Sequence, residues 1–254
     1  MGGEYMDTLL PLGKGVNIFV SENHHFTTDT ILLADFSNPK NKDLCVDLGT
    51  GCGTIPLLWA RDKSTKVLCV DIEPDALSLL QKSIEYNTEN GIENAKNLTP
   101  LLCDIKEIKD KTEAEKYDLV VCNPPYKIDN SGIKNPNEQK ATARHETKCS
   151  FDDICKGAAR MLKFSGRFCI CQRPERLTDI VMTLRKYRLE PKKLRFVQGK
   201  RDKSPKLFLL EAKKGANEGF LDVMPTLVVE NDDGTFTEEM QKIYGAYKEE
   251  YQNG

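Results

Sequence analysis

An amide, two prolines and an aromatic ring close the apolar run Asp118-Leu-Val-Val-Cys122-Asn123-Pro124-Pro125-Tyr126. Consecutive prolines fix φ and remove backbone donors, so the carbonyls around them face outward as acceptors. Asn123 can present its amide oxygen, and Pro124 its backbone carbonyl, to a single incoming NH2 group. Two acceptors on one planar amine orient it and draw the nitrogen lone pair out of conjugation, an effect of positioning and electrostatics. Tyr126 adds a flat face on which a base can stack. No strong base is demanded, because an amine can lose its proton after it has reacted. A plainer reading of the same residues is a rigid turn after a buried strand.

A second set of residues is suited to holding a ligand. Asp47-Leu-Gly49-Thr50-Gly51-Cys-Gly53-Thr54 follows directly on another apolar run. Glycines at alternate positions let the backbone approach a ligand closely and turn sharply into a helix N-terminus. A dinucleotide fingerprint would need a further glycine where Thr54 stands. About 20 residues on, Asp71 (with Ile72 and Glu73 following) ends a second run, where a carboxylate can accept both hydroxyls of a ribose. Cys103-Asp104-Ile105 ends a third. Capping at a strand end explains Asp71 or Asp104 singly; three such sites in register favour one binding cleft.

The elements that must carry these residues are legible as short apolar runs alternating with helical patterns. Residues 44–48, 67–71, 101–104, 118–122 and 167–172 are continuously apolar, as strands covered on both faces are. Pro74 suits the first turn of a helix carrying Leu77, Leu80 and Ile84. Ser150 and Asp153 form a capping-box pattern ahead of Ile154, Ala158, Met161 and Leu162. Pro174 opens a helix carrying Leu177, Val181 and Leu184. Runs 193–198 and 207–212 flank Gly-Lys200-Arg201-Asp-Lys-Ser-Pro, too short for a crossover helix, and predict a closing hairpin. The expected fold class is α/β: a doubly wound, Rossmann-like sheet, mostly parallel with an antiparallel C-terminal hairpin strand. It divides into an N-terminal extension (1–40) packing on the ligand side, a main domain (41–214) and an acidic, weakly helical tail (215–254).

The Asp-preceded G-x-G-x-G run resembles the class I methyltransferases. That resemblance implies S-adenosylmethionine as cofactor. Its amino-acid end would lie on Asp47, Gly49, Thr50, Gly51 and Gly53, its ribose on Asp71 with Ile72, and its adenine on Asp104 with Ile105; Asn123 would border it. Asn123-Pro124-Pro125-Tyr126 resembles the catalytic motif of enzymes that methylate planar amino groups: adenine N6, cytosine N4 or the glutamine amide. The segments His25-Phe-Thr-Thr-Asp29-Thr30-Ile-Leu-Leu-Ala34 and Ala143-Arg144-His145-Glu146 closely resemble the bacterial tRNA adenine-N6 methyltransferases that modify valine tRNA next to its anticodon. The likeness runs from about Phe19 to Lys214. It implies tRNA as partner, with Tyr126, Lys127, Arg144, His145, Lys200 and Arg201 on the substrate side. Arg144 and Lys127 would pair with flanking phosphates. His145 would orient its loop, or serve a purely structural hydrogen bond. Asp29 would close over the cofactor, or cap a helix at 30–36.

Composition narrows the field without choosing within it. Hydrophobic residues at 39% and charged residues at 30% suit a globular domain. No run approaches the roughly 20 apolar residues of a membrane span, no secretory signal is visible, and a cytoplasmic location is expected. The nine cysteines form no C-x-x-C pair and no zinc-like spacing with the three histidines, so no metal is expected and the thiols read as small core residues. No obligate protein partner is implied. The net charge of −2 argues against a general nucleic-acid binder, yet Arg160–Lys214 holds 17 basic and 5 acidic residues. Residues 127–149, polar and aperiodic, form a long functional loop or a disordered one.

Three other enzymes enter at the level of resemblance. A release-factor glutamine methyltransferase would carry a helical domain ahead of the glycine loop, where only 46 residues stand. A DNA adenine methyltransferase would carry a separate recognition domain. Guanine-N2 methyltransferases of ribosomal RNA are commonly duplicated. An RNA-binding protein with a vestigial cofactor site is the non-enzymatic alternative.

Overall fold

The five apolar runs map onto five adjacent strands of one sheet, the run at 101–104 onto its edge. The computed structural model describes residues 7–124 and 149–245. In chain order the strands are β1 (Thr8–Gly13), β2 (Val16–Val20), β3 (Leu44–Leu48), β4 (Lys66–Asp71), β5 (Leu98–Leu102), β6 (Tyr117–Cys122), β7 (Leu162–Gln172), β8 (Leu189–Gln198), β9 (Leu207–Lys214), β10 (Asp222–Val223) and β11 (Leu227–Val228). The helices are α1 (Thr28–Ser37), α2 (Thr54–Ala60), α3 (Pro74–Glu89), α4 (Ile108–Lys111), α5 (Phe151–Met161), α6 (Leu177–Lys186) and α7 (Glu238–Tyr244).

The main sheet runs β10-β8-β9-β7-β6-β3-β4-β5, with β11 also on β8. Strands β5, β4, β3, β6 and β7 are parallel, and β9 is antiparallel to both β7 and β8. This is the expected mostly parallel, doubly wound sheet with its antiparallel hairpin. Alternation within each strand explains why both faces are covered. Cys45, Leu119, Val121 and Cys169 face a core formed with α1, α2 and α3. Val46, Val120, Phe168 and Ile170 face a second core formed with α5 and α6. After β3 the chain moves outward through β4 to β5, then returns to place β6 on the other side of β3. That reversal opens a crevice at the carboxyl ends of β3 and β6, where ligands bind in open α/β sheets.

Several boundaries differ from those read in the sequence. Strand β5 begins at Leu98 and ends before Cys103, with Pro100 inside it. It is the sheet's edge, where one row of backbone groups has no strand to meet and a proline is tolerated. Leu162 is not helical: α5 stops at Met161 and β7 starts at once. The capping box on α5 is present, Ser150 accepting from the Asp153 amide while the Asp153 carboxylate accepts from Ser150. Helix α1 starts at Thr28 with Thr27 at its N-cap, so Asp29 lies within the first turn and is not the cap.

The hairpin β1–β2 was not expected. It turns through Lys14-Gly15, both at positive φ, as a two-residue hairpin requires. It lies along α3, where Asn17 and Asn87 exchange hydrogen bonds and Phe19 N–H donates to Ser83 Oγ. Residues 215–245 also join the body. β10 and β11 pair with the outer edge of β8, and Met240 and Tyr244 of α7 are buried in the α1 side of the core. Glu239 receives a bidentate pair from Arg195, at 2.7 and 2.8 Å. An open strand edge and a buried guanidinium attract this acidic segment, neither of which its own composition discloses.

Eight of the nine cysteines are buried and all are free thiols. Among the described residues no group of His, Cys, Asp and Glu is arranged to hold a metal ion, and no helix is long and apolar enough to cross a membrane.

Candidate active site

Register aligns the two motifs. Leu48 pairs with both Val70 and Cys122, so the next residues, Gly49, Asp71 and Asn123, form a row along the carboxyl edge of the sheet. They line one cleft of about 310 Å³. Ile72, Asp104, Ile105 and Pro124 line it too, with Ala76, Cys103, Cys122 and Ile154 forming apolar wall.

The glycine loop is fastened to β4 by its backbone. The amides of Gly49 and Thr50 both donate to the Val70 carbonyl at 2.9 Å, and the Gly51 amide donates to Asp71 Oδ2 at 2.8 Å. Gly49 and Gly51 hold φ of 74° and 55°, and a Cβ on either would meet nothing within 4 Å. Open space above the loop is the space a ligand needs. Gly53 differs: it does not line the cleft, and a Cβ there would lie 2.3 Å from Leu80 Cδ1. Its service is close packing of α2 on α3.

Asp71 accepts from the Gly51 amide and, through Oδ1, from the Glu73 amide at 3.0 Å. Asp104 accepts from the Lys106 amide at 2.9 Å and caps the turn Ile105–Glu107. Structural and ligand-facing readings therefore coexist: each carboxylate braces its strand end and borders the cleft. A carboxylate has about four acceptor positions, so one backbone bond per oxygen leaves capacity for hydroxyl donors.

Asp47 and Thr50 stand behind the loop, outside the cleft lining. Thr50 Oγ1 donates to Asp47 Oδ2 at 2.8 Å, while Asp47 Oδ1 has no partner among the described residues. Burial lifts the Asp47 carboxyl to about 7, against the stabilising Thr50 hydrogen bond and with a smaller contribution from the Asp71 charge.

Asn123, half-buried at the end of β6, donates from Nδ2 to Thr30 Oγ1 of α1 at 3.1 Å. This bond ties the carboxyl end of β6 to the first turn of α1. Across the cleft, His24 Nε2 lies 3.5 Å from Glu73 Oε2, joining the segment after β2 to the start of α3. Sequence reasoning did not single out His24, and quoted Thr30 only within the segment 25–34, without its contact to Asn123. Thr30 is 93 residues from Asn123, and no spacing rule connects them.

Lys200 and Arg201 lie in the β8–β9 loop. The antiparallel register of Gln172 with Phe208 puts that loop at the same end of the sheet as Asn123, beyond β7 and β9. Lys200 and Lys203 close a turn there and Arg201 is exposed. They are on the site's edge without touching the cleft. Pro125, Tyr126, Lys127, Arg144 and His145 lie outside the described residues.

An edge row of glycine, carboxylate and amide at the switch point of a doubly wound sheet is where such folds take nucleoside-like ligands. Residues 14–182 match the family model described as methyltransferase small domain. The chain belongs to the methyltransferase small domain family. It is an S-adenosylmethionine-dependent methyltransferase, and the open glycine loop, the two cleft carboxylates and the ligand-sized volume fit that cofactor. Similar curated proteins include the tRNA1(Val) (adenine(37)-N6)-methyltransferase of Parabacteroides distasonis, 30% identical over 72% of this chain and 74% of its own length. The protein of that name from Phocaeicola vulgatus is 27% identical over 77% and 79%. These likenesses bear out the family resemblance drawn from the motifs. Among solved structures, a predicted O-methyltransferase from Agrobacterium tumefaciens superposes with a TM-score of 0.69 at 17% identity, covering 85% of this methyltransferase and 95% of its own chain. TYW2 from M. jannaschii in complex with AdoMet gives 0.58 at 14%, covering 84% and 88%. At such identities the superpositions speak for the fold.

Proposed function

We propose that this methyltransferase modifies the N6 amine of an adenine in tRNA, with valine tRNA, next to the anticodon, as its substrate. The single observation behind the reading is the place of Asn123, on the same edge row as the glycine loop and Asp71 and in the lining of the same cleft. An acceptor so placed suits a planar amine and offers nothing to a hydroxyl or thiol that would need a base. The relatives named for adenine-N6 methylation of tRNA1(Val) support the choice among planar amines.

In this reading the cofactor, when bound, supplies a methyl group on a positively charged sulfur. The residues of the chain do the rest. Asp71 and Asp104 hold the ligand's hydroxyl and amino donors, and Gly49 and Gly51 let it approach the backbone. Asn123 and the Pro124 carbonyl fix the amine and localise its lone pair, the preorganised electrostatics that commonly dominate catalysis. The amine's proton leaves to water afterwards, so no titrating base is assigned. Tyr126 stacks the target base, while Lys127, Arg144, Lys200 and Arg201 meet phosphates and His145 orders its loop.

The test is direct. Purified protein is incubated with methyl-labelled S-adenosylmethionine and undermethylated bacterial tRNA, and the RNA is digested to nucleosides. Label in N6-methyladenosine of valine tRNA is expected. Label absent from tRNA but present in ribosomal RNA, or in a release-factor glutamine, would overturn the substrate and leave the enzyme class standing.

A further inference from the structure

We propose that His24 binds the cofactor, its imidazole completing the hydrogen bonding of the ribose at the Asp71 end of the cleft. The proposal rests on the placement of the ribose hydroxyls at Asp71. A hydroxyl both donates and accepts, whereas an ionised carboxylate only accepts. Thiols apart, the titratable side chains lining the cleft among the described residues are His24, Asp71, Glu73 and Asp104. The carboxylates can take a hydroxyl's proton but give nothing to its oxygen. An imidazole nitrogen can donate as well as accept, so His24 supplies what they lack.

The contacts of His24 place it at this end. Its Nε2 lies 3.5 Å from Glu73 Oε2, and the Glu73 amide donates to Asp71 Oδ1 at 3.0 Å. Imidazole, Glu73 and Asp71 thus follow one another along the wall. The backbone that carries His24 is fixed on both sides. Strand β2 is bonded to α3 through Asn17 and Phe19, and α1 begins at Thr28. Between them the Ser21 and His24 backbones exchange hydrogen bonds at 2.9 and 3.2 Å, and Ser21 Oγ accepts from the His24 amide at 3.3 Å. A ring on such a turn is in place before the ligand arrives, so little order is lost on binding. The N-terminal hairpin thereby becomes part of the cofactor's wall.

Two substitutions and two ligands test this. His24→Phe keeps a flat ring and removes both nitrogens, and His24→Gln keeps a donor and an acceptor. The ligands are S-adenosylhomocysteine and its analogue lacking both ribose hydroxyls, with dissociation constants measured by calorimetry. His24→Phe is expected to weaken S-adenosylhomocysteine about 10-fold, the scale of one hydrogen bond. The analogue has no hydroxyl for the imidazole to meet, so its affinity is expected to change less than about two-fold. His24→Gln is expected to stay within about three-fold of wild type for both. At saturating cofactor kcat is expected to hold within about two-fold in either variant, because a contact made equally in ground and transition state moves affinity alone.

Wild-type affinity for S-adenosylhomocysteine in His24→Phe would overturn the proposal. So would an equal loss for the two ligands, or a loss in step with a lower unfolding temperature of the ligand-free protein, since the ring would then serve the fold. Equal loss in His24→Gln and His24→Phe would overturn it as well. If the wild-type protein binds the two ligands equally well, the placement of the ribose at Asp71 falls and the proposal with it, whichever way His24→Phe behaves.

Discussion

The two walls of the cleft are built differently. On the cofactor side, the glycine loop and Asp71 are joined by backbone amides, from Gly49 and Thr50 to Val70 and from Gly51 to Asp71. These bonds connect the ends of adjacent parallel strands and are part of the fold itself. On the other side, Asn123 is joined through its side chain to Thr30, on a helix 93 residues earlier in the sequence. The glycine-loop wall is therefore fastened by the sheet itself, whereas Asn123 is also tied to an N-terminal helix by a side-chain bond. Substitutions on the two sides should separate accordingly, one set moving affinity and stability, the other moving turnover.

The largest expected effect is on the amine side. Asn123→Ala removes the acceptor proposed to act on the reacting nitrogen, and kcat should fall by about 10²–10³-fold, with the cofactor's dissociation constant nearly unchanged by calorimetry. Parallel loss of cofactor affinity would show that the two walls are not separable.

Gly53→Ala should act on stability instead. The new methyl meets Leu80 Cδ1 at 2.3 Å at a φ of 88°. Overpacking and the left-handed backbone together cost about 2–5 kcal/mol. Urea unfolding would measure it, and residual folded enzyme should keep an ordinary kcat.

A pH experiment sharpens the cofactor side. The buried Asp47 carboxyl titrates near 7 in the folded protein against an ordinary 3.8. Between those values the native state holds a proton that the unfolded chain has released, so this group lowers stability as pH rises from about 4 to 7 and adds nothing further above. Asp47→Asn should therefore gain on wild type across that window in urea titrations at several pH values. A constant difference from pH 4 to 8 would remove Asp47 as the cause.

The smallest effect belongs to the β8–β9 loop, where Lys200 and Arg201 share the site's edge without touching the cleft. Reversing one of these charges should reduce the slope of log K for tRNA against log salt by about one per lost phosphate contact. A wild-type slope would take the loop off the RNA path.

Much of this arrangement was readable without coordinates, for identifiable reasons. β3, β4, β6 and β9 are continuously apolar because both of their faces are covered, and such runs stand out in any window. β5 was placed three residues late because Pro100 argues against a strand unless the strand is known to be an edge. The hairpin β1–β2 went unread because Lys14-Gly15 is a weak turn signal beside Asn-Gly or Asp-Gly. Gly53 was grouped with Gly49 and Gly51, since identical residue types at one spacing hide different needs: two glycines leave room for a ligand, and the third leaves room for Leu80. Asp71 and Asp104 each had two competing explanations, and the structure shows that capping does not exclude the other, because each carboxylate accepts from a backbone amide and still borders the cleft.

By itself the sequence determined what is local: strand ends that stop in Gly49, Asp71, Asp104 and Asn123 and the turn chemistry beside them, the motifs on which the family resemblance rests. Those follow from residue type and from interactions within one turn or one strand–helix unit. Only the tertiary structure decided that Gly49, Asp71 and Asn123 share one row, that Thr30 bonds to Asn123, and that the acidic C-terminal segment closes on Arg195 and α1. These depend on strand order, register and helix docking, which arise from packing between residues tens to hundreds of positions apart and leave no periodic trace along the chain.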